Sequence, residues 1–141
     1  MTHGLGLVGL SHVSLNTKDL AKAEQFYLEV LGGTKVFDLT NPAGVRYGTF
    51  IALGNGTFVE IFNQPEPMLA GTTAYRHICL QVRSVKEAAA WLGRFGYAPE
   101  IKVGRVDKVP QFFITGPDGV EIEFHEYCEG TPQRSHLPHE R

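Results

Sequence analysis

The chain contains two copies of one residue pattern, and this repeat limits the folds that it can adopt. Residues 10–17 read LSHVSLNT and residues 75–82 read YRHICLQV, so that each segment of alternating character has a histidine near its start. The same order of features follows both segments: a helix-like stretch, a short β-branched run and a turn of Asn-Gly or Asp-Gly. The sequence therefore predicts one structural unit that is used twice.

A glutamate occupies the same place in both copies. It stands four residues after the turn glycine, as Glu60 in the first copy and Glu123 in the second. Glu60 follows His12 by 48 residues, and Glu123 follows His77 by 46. The two histidines and the two glutamates therefore form one set.

Composition and charge narrow the class of protein. With 141 residues and 43% hydrophobic content, the chain can bury the core of a single compact domain. A net charge of −2 without a basic run argues against nucleic acid or an anionic membrane as a partner. The sequence shows no signal-peptide pattern and no apolar stretch of spanning length, and two cysteines are too few for a disulfide framework. We therefore expect a cytoplasmic protein with reduced thiols.

The first copy, at about 7–63, has the pattern of a βαβββ module. Strand-like segments occupy 7–16, 34–39, 45–53 and 57–63, and helical spacing covers 18–31 with Asn16 or Thr17 as the predicted cap. Residues 64–74 contain two prolines and a glycine, which predicts a linker.

The second copy, at about 75–126, repeats this order. Ser84 and Glu87 form a capping-box pattern at the start of a predicted helix over 85–95. Strands are predicted at 75–82, 98–103, 109–115 and 120–126, and a flexible tail at about 127–141. The predicted fold class is α+β, with both modules in one domain over 1–141.

Alternation divides each predicted sheet into an apolar face and a polar face. The apolar residues are expected to pack against the helices, and the polar face carries the two histidines and the two glutamates, together with Glu121 and His125. Two imidazoles and two carboxylates suit one divalent ion of Zn, Ni, Co, Mn or Fe(II). The alternative is that the four are unrelated surface residues. Glu121 and His125 share the alternation phase of Glu123, so that either could assist in proton transfer, but we expect both at a solvated rim. We expect Cys79 in the pocket lining.

Several segments resemble the vicinal oxygen chelate superfamily, which includes glyoxalase I, methylmalonyl-CoA epimerase, extradiol dioxygenases and bleomycin- and fosfomycin-resistance proteins. The resemblance covers about residues 7–126. It is carried by Ser11-His12-Val13, by FYLEVLG at 26–32, by Val59-Glu60-Ile61, by Arg76-His77-Ile78 and by GPDGVEIEF at 116–124.

The resemblance implies an open eight-stranded half-barrel sheet with the helices on its outer face. It also implies a metal held by His12, Glu60, His77 and Glu123, with two adjacent positions left for the vicinal oxygens of a small substrate. Relatives build such sites within one chain or across two, so that the two pairs at one ion belong either to the same chain or to the two chains of a dimer. Such a metal stabilises an enediolate or enolate after proton removal, and Glu60 and Glu123 are the candidate catalytic bases. The implied activity is that of a lyase or isomerase of the glyoxalase I type.

Two alternatives stay open, namely an Fe(II) extradiol dioxygenase and an antibiotic-binding resistance protein. Non-haem Fe(II) oxygenases use two histidines and one carboxylate, so that a carboxylate at Glu60 favours the lyase. Asn16 stands where glutathione-dependent lyases have an arginine, which argues against glutathione as the thiol. Exposed edges of open sheets also predict a homodimer.

Overall fold

The computed structural model describes residues 10–64 and 77–138, with the side chain of His136 excepted. Predictions for residues 1–9, 65–76 and 139–141 lie outside the described residues. They concern the first residues of strand 7–16, most of the linker, and Tyr75 and Arg76 of the second repeat. No helix within the described ranges is long and apolar enough to cross a membrane.

The chain divides into two compact units, and the first spans Met1–Gly71. Its elements are β1 (His12–Thr17), α1 (Leu20–Gln25), a π-helical turn (Phe26–Val30), β2 (Thr34–Thr40), β3 (Arg46–Gly54) and β4 (Thr57–Asn63). The strands form one open sheet in the order β1-β4-β3-β2, in which β1 runs parallel to β4 and the other pairs are antiparallel. The predicted βαβββ order is confirmed.

The second unit, Thr72–Arg141, repeats the topology. Its elements are β5 (Ile78–Gln81), α2 (Val85–Gly93), β6 (Lys102–Val103), β7 (Pro110–Thr115) and β8 (Glu121–His125). The sheet has the order β5-β8-β7-β6, again with one parallel and two antiparallel pairs. The α+β class with two open βαβββ modules is therefore confirmed.

The two helices begin differently, and one predicted cap was wrong. Asp19, and neither Asn16 nor Thr17, caps α1, because its side chain accepts a hydrogen bond from the Lys22 amide. Thr17 is the last residue of β1, and its hydroxyl accepts from the Asp19 amide. Ser84 caps α2 as predicted and accepts from the Glu87 amide.

Strand β6 is shorter than the predicted strand at 98–103 and holds only Lys102 and Val103. Pro99 lies within the missing part, and proline has no amide hydrogen to donate to a neighbouring strand.

The hairpin between β3 and β4 agrees with its sequence, since Asn55 and Gly56 both have positive φ, at 50° and 71°.

Each sheet packs its apolar face against its own helix. In the first unit the fully buried residues Ile51, Val59 and Ile61 lie on the face opposite His12 and Glu60. In the second unit the same face carries the buried residues Ile122, Phe124 and Phe112, and the last two rings stack at 4.7 Å. Because strand residues alternate between faces, this packing leaves the histidines and glutamates together on the other face of each sheet.

Residues 127–138, predicted as part of a flexible tail, include a 3₁₀-helix at Pro132–His136. The Gln133 side chain donates a hydrogen bond to Asp107 over 2.9 Å, and the Thr131 hydroxyl donates to the Cys128 carbonyl over 2.8 Å. Thr131 is buried. These contacts tie the segment after β8 to the second unit.

Candidate metal centre

The first histidine–glutamate pair is formed by neighbouring strands. Strands β1 and β4 run parallel with Ser14 opposite Glu60, so that His12 lies one pleat away on the same face. The Nε2 atom of His12 is 3.9 Å from Oε1 of Glu60, and the Ser14 hydroxyl donates to the same oxygen over 3.3 Å. The side chains of His12 and Glu60 are 39% and 21% exposed. Both side chains are therefore accessible to a ligand from solvent.

The second pair is closer and less exposed. His77 immediately precedes β5, and its Nε2 atom lies 2.8 Å from Oε2 of Glu123 on β8. The side chain of Glu123 is 11% exposed and that of His77 is 33% exposed. Parallel pairing of β5 with β8 places Cys79 opposite Glu123. A carboxylate with so little exposure needs a compensating partner, and the imidazole supplies one.

Each histidine–glutamate pair has a phenylalanine at the equivalent place beside it. Phe50 lies opposite Glu60 across β3 and β4, and its ring meets His12 edge to face at 5.5 Å. Phe113 lies opposite Glu123 across β7 and β8 and meets His77 in the same geometry, also at 5.5 Å. Phe50 and Phe113 are separated by 63 residues, as are the two glutamates. This equal spacing was the sequence signal that could have identified the two phenylalanines as equivalent residues.

His125 does not lie at a solvated rim, and that prediction was wrong. Its side chain is 12% exposed, and Nε2 lies 2.9 Å from both Oε1 of Glu123 and Oε1 of Gln111. Its Nδ1 atom lies 3.2 Å from the Tyr127 hydroxyl. The cause is pairing of β8 with β7, which sets Gln111 directly opposite His125 and covers the ring. Glu121 is exposed as expected and accepts a hydrogen bond from Thr115.

Cys79 lies on the same face and is an exposed residue whose thiol has a raised pKa. Burial of the thiol, followed by the negative charge of Glu123, raises the pKa of Cys79 to about 12. A raised pKa favours the protonated thiol at neutral pH, which is less reactive than the thiolate. Ligand atoms of Cys79, Glu123 and His125 lie within 4.8 Å of one another.

Three cationic side chains that could have met an acidic substrate already contact carboxylates of the chain. Arg46 bonds to Glu24 and Asp38, and Lys35 bonds to the same two carboxylates at 3.0 Å. Lys102 lies 3.7 Å from Glu100, and both side chains are well exposed. Arg46 is therefore already neutralised by carboxylates of the chain, whereas the contact of Lys102 is a weak surface pair.

Residues 9–124 match the sequence profile of the Glyoxalase/Bleomycin resistance protein/Dioxygenase superfamily. The chain belongs to this superfamily. The matched segment contains both histidine–glutamate pairs and the eight strands described above, apart from the last residue of β8. Membership of the superfamily fits the repeated βαβββ topology.

Related proteins share the superfamily fold over most of the chain. The uncharacterized protein YaeR of Escherichia coli (strain K12) is 26% identical over 129 residues, which are 86% of this chain and 98% of YaeR. A glyoxalase family protein from Enterococcus faecalis is 26% identical with a TM-score of 0.70, over 84% of this chain and 98% of that one. Lactoylglutathione lyase from Agrobacterium tumefaciens is 19% identical with a TM-score of 0.65, over 86% and 95% of the two chains.

The donor atoms of the two pairs suit the divalent metals that superfamily members bind. His12 and Glu60 belong to the first unit, and His77 and Glu123 to the second. In the described part of the chain, the ion pairs of both glutamates are all with histidines, so that no lysine or arginine neutralises either carboxylate. Neutral imidazole nitrogen and anionic oxygen are ligands for Zn, Ni, Co, Mn and Fe(II). The residues present therefore fit such an ion.

Proposed function

We propose that this protein is a metal-dependent lyase or isomerase of the glyoxalase I type, which moves a carbon-bound proton in a small substrate with vicinal oxygens. The observation that carries the proposal is the matched arrangement of histidine, glutamate and phenylalanine on the polar face of each unit. Membership of the glyoxalase superfamily supports it. Chance surface residues have no reason to repeat at the same strand positions.

The proposed ligands are His12, Glu60, His77 and Glu123, which together would hold one divalent ion of Zn, Ni, Co, Mn or Fe(II). Such an ion, when bound, acts as a Lewis acid toward the substrate oxygens and lowers the cost of negative charge on them. The four side chains supply two negative charges, which offset the charge of the ion.

Glu60 is the proposed proton acceptor, because it is the less restrained of the two carboxylates. Glu60 contacts the Ser14 hydroxyl at 3.3 Å and His12 at 3.9 Å, whereas both oxygens of Glu123 have partners within 2.9 Å. A carboxylate that takes a proton from carbon has to move toward the substrate and back. Glu123 is restrained through both of its oxygens, whereas Glu60 is less restrained and can make this movement.

Phe50 and Phe113 are the proposed apolar walls beside the reacting groups. Each ring stands against one of the histidines, and Phe113 is 46% exposed. Phe113 and Gln111 also line a cleft of about 240 Å³ in the second unit.

The reaction class can be tested with the wild-type protein and a panel of substrates. The panel contains hemithioacetals of methylglyoxal with several thiols, 2-methyl-branched acyl-CoA thioesters and catechols. We expect deuterium to enter the carbon next to the carbonyl in deuterated water, followed by NMR, without oxygen consumption at an electrode. Oxygen uptake with a catechol would assign the protein to the dioxygenases. Binding of a panel member without turnover would assign it to the ligand-binding members.

A homodimer is the proposed assembly. β2 lies at one edge of the first sheet, and its residues Val36 and Phe37 are 50% and 46% exposed. An exposed apolar edge strand favours pairing with another chain. Light scattering at micromolar concentration should give twice the mass of the chain. The mass of a single chain would reject the dimer.

A further inference from the structure

His125 contacts the buried carboxylate of Glu123 from the side opposite His77. Oε2 of Glu123 lies 2.8 Å from Nε2 of His77, and Oε1 lies 2.9 Å from Nε2 of His125. Each oxygen therefore has its own imidazole. The side chains of Glu123 and His125 are 11% and 12% exposed, so that water offers little competition for this contact.

The neighbours of His125 determine which ring nitrogen carries hydrogen. Nε2 faces two oxygens, those of Glu123 and Gln111, while Nδ1 faces the hydroxyl of Tyr127. A carboxylate only accepts, and a phenol can donate. The neutral ring is therefore the Nε2–H tautomer, which donates to Glu123 and accepts from Tyr127. The opposite tautomer would set a lone pair against the carboxylate.

We propose that His125 is a positioning residue, which fixes Oε1 of Glu123 by a hydrogen bond and so presents Oε2, beside His77, as the single ligand oxygen. The inference rests on the proposed function, because it takes Glu123 as a metal ligand. Hydrogen bonds to a ligating group fix its orientation, and their loss typically weakens metal affinity 10- to 100-fold.

The first unit shows what the absence of such a residue does. Phe62 stands two residues after Glu60, where His125 stands two residues after Glu123, and its ring stacks on Tyr47 at 6.1 Å. Glu60 accordingly lacks an imidazole on that side and is 21% exposed. The repeated unit thus holds one carboxylate and leaves the other less restrained.

Three variants test the role of His125 by metal titration of the purified apoprotein, with Zn²⁺ and Co²⁺ as probes. His125→Phe keeps an aromatic ring and removes the donor, and its metal affinity should fall about 10- to 100-fold. His125→Gln returns an amide N–H near the position of Nε2 and should recover most of that loss. Tyr127→Phe removes the hydroxyl that sets the tautomer, and its affinity should fall by a smaller factor.

Glu121→Gln is the matched control, because Glu121 lies two residues from Glu123 on the same face and bonds to Thr115. Its affinity should equal that of the wild type. Thermal unfolding of each apoprotein shows whether a variant is folded. If His125→Phe does not fold, the metal affinities of His125→Gln and Tyr127→Phe, compared with that of the wild type, test the role of His125.

The outcomes separate this inference from the proposed function. A wild-type protein that binds metal, with folded variants of equal affinity, would overturn the role of His125 and leave the proposed function intact. Equal weakening in His125→Phe and His125→Gln would also overturn it, since a donor at that position would then be irrelevant. A wild-type protein that binds neither probe would overturn both.

Discussion

Glu60→Gln is expected to lose proton exchange while the fold and part of the metal affinity remain. A glutamine side chain has nearly the same shape, can accept the hydrogen bond from Ser14 and can coordinate through its amide oxygen, but it cannot take up a proton near neutral pH. General acid–base groups typically contribute 10²- to 10⁴-fold to rate. Deuterium incorporation into the best substrate of the panel should fall by such a factor.

Glu29→Gln provides the control for loss of one negative charge. Glu29 lies in the π-helical turn, is exposed and accepts a hydrogen bond from Gln25. Its rate of exchange should match the wild type. A Glu60→Gln variant that exchanges deuterium as fast as the wild type, at equal metal content, would show that Glu60 is not the base and would direct attention to Glu123.

His77→Ala is expected to lower metal affinity more than His125→Phe does. It removes a neutral nitrogen ligand and leaves Glu123 with one imidazole in place of two. Loss of hydrogen bonds outside the ligand shell costs 10- to 100-fold, so that loss of a ligand should exceed about 100-fold. Competition of the apoprotein with a chelating dye for Zn²⁺ measures the difference.

Cys79→Ala distinguishes the proposed ligands from the other cluster around Glu123. Cys79, Glu123 and His125 are close enough to hold an ion by themselves, although the Cys79 thiol has a raised pKa. We expect Cys79→Ala to keep the affinity of the wild type. If Cys79→Ala loses metal while His77→Ala retains it, the thiol-containing cluster is the site and the proposed ligand set is wrong.

The repeat made most of the fold predictable. The alternation of apolar and polar residues, together with the turn residues, determines which side chains share a face of a strand. Because the same pattern occurs in both copies, the βαβββ order and the polar face were predictable from the sequence. The residue that caps α1 was not predictable from the sequence, because Asn16, Thr17 and Asp19 are all capping residue types within four positions. Only the backbone path decides among them, and Thr17 remains in β1.

The sequence pattern identified the histidines and glutamates of the candidate site, but not the side chains that surround them. His125 shares the phase of Glu123, yet its burial depends on the register of β7, which brings Gln111 against it. Such register is a tertiary property that the local pattern of β8 does not contain. Phe50 and Phe113 were within reach of the repeat comparison, since their spacing equals that of the glutamates.

The metal content of the wild type beside His12→Ala and Glu60→Ala tests most directly whether the pairs of both units serve one centre. The three proteins are purified in parallel, dialysed against the same metal buffer and measured by elemental analysis. The account predicts about one divalent transition ion per site in the wild type and a clear loss in both variants, although both substitutions lie in the first unit. Unchanged metal content in both variants would contradict the four-ligand centre.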